Sequence, residues 1–129
     1  MLNFSPAVRI FFATNPVDMR RQIDGLAALV SDVIAQDPYT GHVFVFRGRR
    51  NDRIKLLVWA TNGFVLVYKR LEKGRFHFPD AASPCQELDS TTLTLLLEGL
   101  DVALAADVPR WHPVRGVSPR QPSPPEPAA

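Results

Sequence analysis

GHVFVFRGRRNDRIKLLVWATNGFVLVYKRLEKGRFHF, residues 41–78, decides how this chain folds. Three apolar runs, at residues 42–46, 54–60 and 64–70, are separated by polar connections, and each has the length of a strand. Thr61-Asn62-Gly63 joins the last two, and Asn-Gly between apolar runs is the strongest short hairpin signal. The first connection is Arg-Gly-Arg-Arg-Asn-Asp, and a fourth strand over residues 75–78 is expected after Lys73-Gly74. These strands are apolar on both faces, with Val43 and Val45 on one and Phe44 and Phe46 on the other. A sheet wet on one face alternates more cleanly. The second face is therefore expected to be covered, by another helix or by a second copy of the chain.

The connections within this stretch concentrate positive charge. Arg47, Arg49, Arg50, Arg53, Lys55, Lys69, Arg70, Lys73 and Arg75 stand against Asp52 and Glu72, a net +7 in a chain whose total is +2. Everything outside the stretch therefore carries −5. In a meander the first and third connections share one end of the sheet, so the loop at 47–55 and the turn at 69–75 are expected to merge into a single patch. Such lopsided charge on a rigid sheet points to a polyanionic partner, of which nucleic acid is the commonest.

Outward from the sheet, residues 8–13 read as a first strand, broken by Asn15-Pro16. Asp18 is placed to cap a helix over residues 19–36 or to sit in its first turn, and Ile23, Leu26, Ala27, Val30, Val33 and Ile34 share one face of that helix. Residues 88–100 read as a second helix, capped by Asp89 or Ser90, with Leu93, Leu96, Leu97 and Leu100 on its apolar side. From Pro109 onward, seven of the twelve prolines fall in twenty-one residues. The expected organisation is a single domain over residues 1–113 and a flexible proline-rich tail over 114–129. The expected fold is α+β: a mostly antiparallel sheet of four or five strands, one helix packed on a face, and a second C-terminal helix.

Composition narrows the function. A chain of 129 residues with 46% hydrophobic content suits one globular domain. Its single cysteine, Cys85, excludes an internal disulfide and a cysteine-based zinc site, and a cytoplasmic location follows. Neither a membrane span nor a secretory signal is expected. His42, His77 and His112 lack metal-ligand spacing. The three central apolar runs contain no Asp or Glu to anchor a two-metal nuclease centre. Gly48 stands alone, so no glycine-rich phosphate motif is present. No cofactor and no catalytic residue is expected.

Three blocks carry a family resemblance: PVDMRRQIDGLAALV (16–30), FVFRGRRNDRIKLLVW (44–59) and GFVLVYKRLEKGRF (63–76). In this order and spacing they resemble the TnpB/Orf2 accessory protein family of insertion-sequence-sixty-six transposable elements. LTLLLEGLD (93–101) resembles that family's closing helix. The family usually has a glycine near Asn51 and a tryptophan where Phe78 precedes Pro79, departures that remove no charge from the arginine loop. The resemblance implies a bacterial mobile-element protein made beside a separate transposase that performs the strand chemistry.

Each candidate site has a competing reading. Guanidinium forks on the arginine loop can grip phosphates, while the same charges can simply solvate a turn and guard a sheet edge. At Pro16-Val17-Asp18-Met19-Arg20-Arg21, anion binding competes with helix capping by Asp18, which would repel a phosphate; capping is favoured. Phe44, Trp59, Phe64 and Tyr68 could stack on bases, but their Val, Leu and Ile neighbours favour core packing. The function expected is a noncatalytic accessory factor for DNA transposition, binding nucleic acid through Arg47, Arg49, Arg50, Arg53, Lys55, Lys69, Arg70, Lys73 and Arg75. Expected partners are transposon DNA, the element-encoded transposase and a second copy of the chain. The alternative is a protein–protein adaptor that docks on the transposase without touching DNA.

The tail has almost no large apolar side chains, and its prolines lack the amide hydrogens that helices and sheets use. Truncation after Pro113 is expected to leave the thermal midpoint unchanged. A fall of more than about 5 °C, roughly 1 kcal/mol for a domain of this size, would show that the tail packs on the body.

Overall fold

Strand β1 (Ile10–Ala13), strand β2 (Val43–Arg47), strand β3 (Arg53–Ala60), strand β4 (Gly63–Arg70) and strand β5 (Cys85–Leu88) form one sheet in the order β4-β3-β2-β1-β5. The computed structural model describes residues 7–99; Leu100, residues 101–107, Trp111, His112 and the tail at 114–129 lie outside the described residues. Strands β1 and β2 run parallel, and every other neighbouring pair is antiparallel. A parallel pair needs a crossover. It is supplied by helix α1 (Ile23–Leu29), continued by a π-helical turn at Val30–Ile34. A second helix, α2 (Ser90–Leu97), follows β5. The architecture is the expected α+β one, with no described helix long and apolar enough to cross a membrane.

The hairpin forms where Asn-Gly placed it. The β3–β4 register runs from Arg53 opposite Arg70 to Ala60 opposite Gly63. Thr61 and Asn62 close it with φ of 26° and 67°, the paired positive values that a tight right-twisted hairpin turn requires. Helices cover both faces of the sheet. Phe11, Phe44, Phe46 and Leu57 pack with Leu26, Val30 and Ile34 on one side. Ile10, Phe12, Val43, Val45, Ile54 and Leu56 pack with Leu93, Leu96 and Leu97 on the other. This explains the runs apolar on both faces. At α2, the Asp89 carboxylate accepts the Thr92 amide at 2.7 Å, the cap read from sequence.

Four expectations are corrected. Residues 75–78 form no strand: Phe76 is buried and Phe78 stacks on Phe12 at 5.3 Å, so the segment lies on the α2-side core. The second edge of the sheet is instead β5, which pairs along β1. Helix α2 stops before residue 100, because Gly99 adopts φ 79° and its amide turns back to the Leu96 carbonyl. Val33 is 57% exposed rather than core, since the switch to π winding turns Val30 and Ile34 inward and Val33 out.

The fourth correction concerns the start of α1, at Ile23 rather than residue 19. Asp18 does not cap it. Its carboxylate accepts the Arg20 amide, and its carbonyl accepts the Arg21 amide, which fixes a separate turn. Lys55 then reaches through from β3. Its ammonium donates to the Met19 carbonyl at 2.8 Å and the Arg21 carbonyl at 2.7 Å, both acceptors that a longer helix would use internally. The side chain is 1% exposed, and the Tyr68 ring lies 4.9 Å from the ammonium. Burial pulls the Lys55 pKa down, partly offset by the Asp18 charge.

Lys55→Met keeps the aliphatic stem and removes both charge-assisted bonds, leaving two carbonyls short of a donor. The expected loss is about 3 kcal/mol, read from the urea midpoint at constant m-value. A loss below about 1 kcal/mol would mean that the two carbonyls find other donors.

Candidate nucleic-acid interface

Three chain segments converge at the end of the sheet where β2 and β4 finish and β3 begins. Gly48 to Asp52 form the arginine loop, tightened by the Asn51 amide bonding the Gly48 carbonyl and by Asn51 at φ 62°. The turn after β4 is bonded onto this loop: the Leu71 amide donates to the Asp52 carbonyl at 2.8 Å, and the Phe76 amide to the Asn51 carbonyl at 2.7 Å. The lead-in to α1 joins from β1, with the Val17 amide on the Arg47 carbonyl at 2.9 Å. The two basic clusters, separated in sequence, therefore share one end. A Cβ on Gly48 would lie 2.9 Å from Met19 Cγ, so only glycine lets the loop and the lead-in approach this closely.

The nine basic residues are not equivalent. Lys55 is committed to the Met19 and Arg21 carbonyls inside the fold. Arg47 is half-buried, donating to the Thr14 carbonyl and the Asn51 side chain and lying over the Phe78 ring. Lys69 donates to the Leu97 carbonyl at 2.6 Å, where a cation suits the negative end of α2. Arg70 is exposed but ion-paired with Glu72 at 2.9 Å. Arg49, Arg50, Lys73 and Arg75 are exposed and have no carboxylate partner among the described residues. Arg53 is half-buried, and its Nε is buried without an acceptor among the described residues.

Between the lead-in and the arginine loop lies a cleft of about 560 Å³, lined by residues 17–20, 48–50, 52 and 53. Four arginines (Arg20, Arg49, Arg50 and Arg53) and two aspartates, Asp18 and Asp52, contribute to it. Arg20 was outside the expected site. The basic run Met19-Arg20-Arg21 was its signal, but only the fold brings it beside the loop. Its guanidinium forks onto Asp18 at 2.7–3.1 Å. Those side-chain bonds, then the Arg20 amide, hold the Asp18 carboxyl well below the usual carboxylate range.

The other candidates disperse. Phe44 is core, whereas Tyr68 is half-exposed above Lys55. Trp59, Phe64 and Tyr39 pack edge-on or tilted on one another at ring distances of 5.0–5.2 Å, at the far end of the β3–β4 hairpin. His42 Nδ1 accepts the Arg9 amide. Cys85 opens β5, and burial followed by the Glu87 charge pushes its thiol pKa up, away from nucleophilic use.

The sequence matches the IS66 Orf2-like protein family over residues 8–106. It is similar to two uncharacterized proteins of Sinorhizobium fredii (strain NBRC 101917 / NGR234). One, y4jC, is 42% identical over 101 residues, which is 78% of this chain and 86% of the relative. The other, y4hO, is 37% identical over 115 residues, 89% of this chain and 98% of the relative. No solved structure matches. The matched span takes in the five strands and two helices of the described residues and the whole basic end. The chain belongs to the IS66 Orf2-like protein family, and through it is associated with insertion sequences.

Proposed function

We propose that the protein is a noncatalytic accessory factor for DNA transposition of a bacterial insertion sequence, acting in the cytoplasm and binding nucleic acid through the basic end of its sheet. The observation that carries this reading is the joining of Arg49, Arg50, Lys73 and Arg75 on two loops bonded to one another, all exposed and unpaired among the described residues. Charges spent on internal partners cannot release counterions from a polyanion, and these four are not spent. Family membership supplies the insertion-sequence context. Transposon DNA and the element's transposase are the partners in this reading.

A second reading has its own observation. Tyr39 is 59% exposed on the Trp59–Phe64 pair, and Val65 and Tyr68 are about half exposed on edge strand β4. Exposed aromatic and aliphatic side chains beside an open strand suit a protein partner. This surface favours the adaptor reading, with the transposase or a second copy of the chain docked there.

Salt dependence separates the two. Replacing Arg49, Arg50 and Arg75 together by alanine is expected to flatten the slope of log affinity against log salt on duplex DNA by about 2.7 units, at ~0.9 per lost phosphate contact. Circular dichroism confirms that both proteins are folded. An unchanged slope would set the nucleic-acid reading aside in favour of the adaptor.

A further inference from the structure

The cleft beside the arginine loop has a chemistry of its own. Arg20, Arg49, Arg50 and Arg53 all contribute to its lining, while Lys73 and Arg75 do not. Arg53 Nε is buried and lacks an acceptor among the described residues, which is costly for a guanidinium N–H. In the β3–β4 register Arg53 stands directly opposite Arg70, and like charges so placed repel. An anion in the cleft answers the first feature, whereas Arg70 already faces Glu72 at 2.9 Å. The cleft's shape is also fixed in advance, by the Lys55 bonds to Met19 and Arg21 and by the close approach of Met19 to Gly48.

Size and sign narrow the occupant. At about 560 Å³ the hollow has the volume of a small-molecule site rather than of a duplex groove. Asp18 stays ionised under its arginine, and Asp52 lines the same hollow. These carboxylates oppose the neighbouring phosphates of a strand that continues in both directions. A terminal phosphate has one such neighbour fewer, and as a dianion it gains more from forked guanidinium bonds.

We infer that the cleft is a seat for a single phosphomonoester, the terminal phosphate of a nucleic-acid strand, with Arg53 as its central ligand. This inference rests on the nucleic-acid reading above and deepens it. A free mononucleotide presents the same chemistry, so the test includes both sources.

The test uses the full chain and 3′-labelled oligonucleotides of one sequence, bearing either a 5′-phosphate or a 5′-hydroxyl. Fluorescence anisotropy gives both affinities. The wild type is expected to prefer the phosphorylated end by about tenfold, the effect of one charge-assisted hydrogen bond. Arg53→Gln and Arg53→Lys should each erase the preference, whereas Arg75→Ala, outside the cleft, should weaken both oligonucleotides equally. Deoxyadenosine monophosphate, compared with deoxyadenosine as competitor, tests the free nucleotide. If it competes while the two strand ends bind alike, the terminal-strand assignment is overturned. Equal affinity for both ends with no competition by the nucleotide, or a preference that survives Arg53→Gln, overturns the seat while leaving the nucleic-acid reading standing. If neither oligonucleotide binds, that reading itself fails, and the seat is judged with inorganic phosphate. A saturable shift of the Arg53 Nε resonance then supports it, and an unmoved resonance overturns it. Should the Arg53 variants not fold, Arg20→Ala, which removes an exposed cleft arginine, takes their place.

Discussion

A buried ammonium ties this structure together. Lys55 rises from β3, beside the edge strand β4, and takes two carbonyls from the segment leading into α1. An unpaired charge in that position would be strongly disfavoured, so both acceptors must stay in place. Their commitment shortens α1, fixes the turn around Asp18 and sets the lead-in against the arginine loop. Met19 then rests on Gly48, where a Cβ would crowd Met19 Cγ at 2.9 Å. The lead-in is thus held from two sides, by Lys55 on its carbonyls and by Asp18 on its amides.

The same economy sorts the positive charges. Arg47 and Lys69 satisfy carbonyls at strand and helix ends, where a cation and an orphan acceptor suit one another. Arg9 on the other flank holds edge strand β5 to β1 through a forked pair with Glu87, at 2.7 and 3.0 Å. What remains outward-facing is a smaller set, concentrated on the two bonded loops. It is on this set that the proposed contact with a polyanion rests.

Much of this was legible in the chain. The short apolar runs and Asn62-Gly63 marked out β2, β3 and β4, and meander geometry placed both basic loops at one end. Strand β5 was not legible: Cys-Gln-Glu-Leu is short and poor in β-formers, and only pairing with β1 makes it a strand. The segment at 75–78 misled for the opposite reason, since Phe76 and Phe78 look like strand residues but serve as a lid on the core. Lys55 misled most at the site. Its neighbours Arg49, Arg50 and Arg53 suggest an exposed cluster, yet Lys55, two residues further into β3 on the same face as Arg53, stands opposite Tyr68 and beneath its ring. Hydrophobic patterning reports which face a strand buries, but not which lysine will find two carbonyls beneath it.

The central claim is that nucleic acid meets the end of the sheet formed by the arginine loop, the turn after β4 and the lead-in to α1. A titration of isotope-labelled protein with short duplex DNA, followed by backbone amide chemical shifts, tests it most directly. The account predicts saturable shifts at residues 17–21, 48–53 and 71–76, with Thr61 and Asn62 at the opposite hairpin end unmoved. Shifts centred instead on Tyr39, Trp59 and Phe64, or no shifts at low salt, would contradict it.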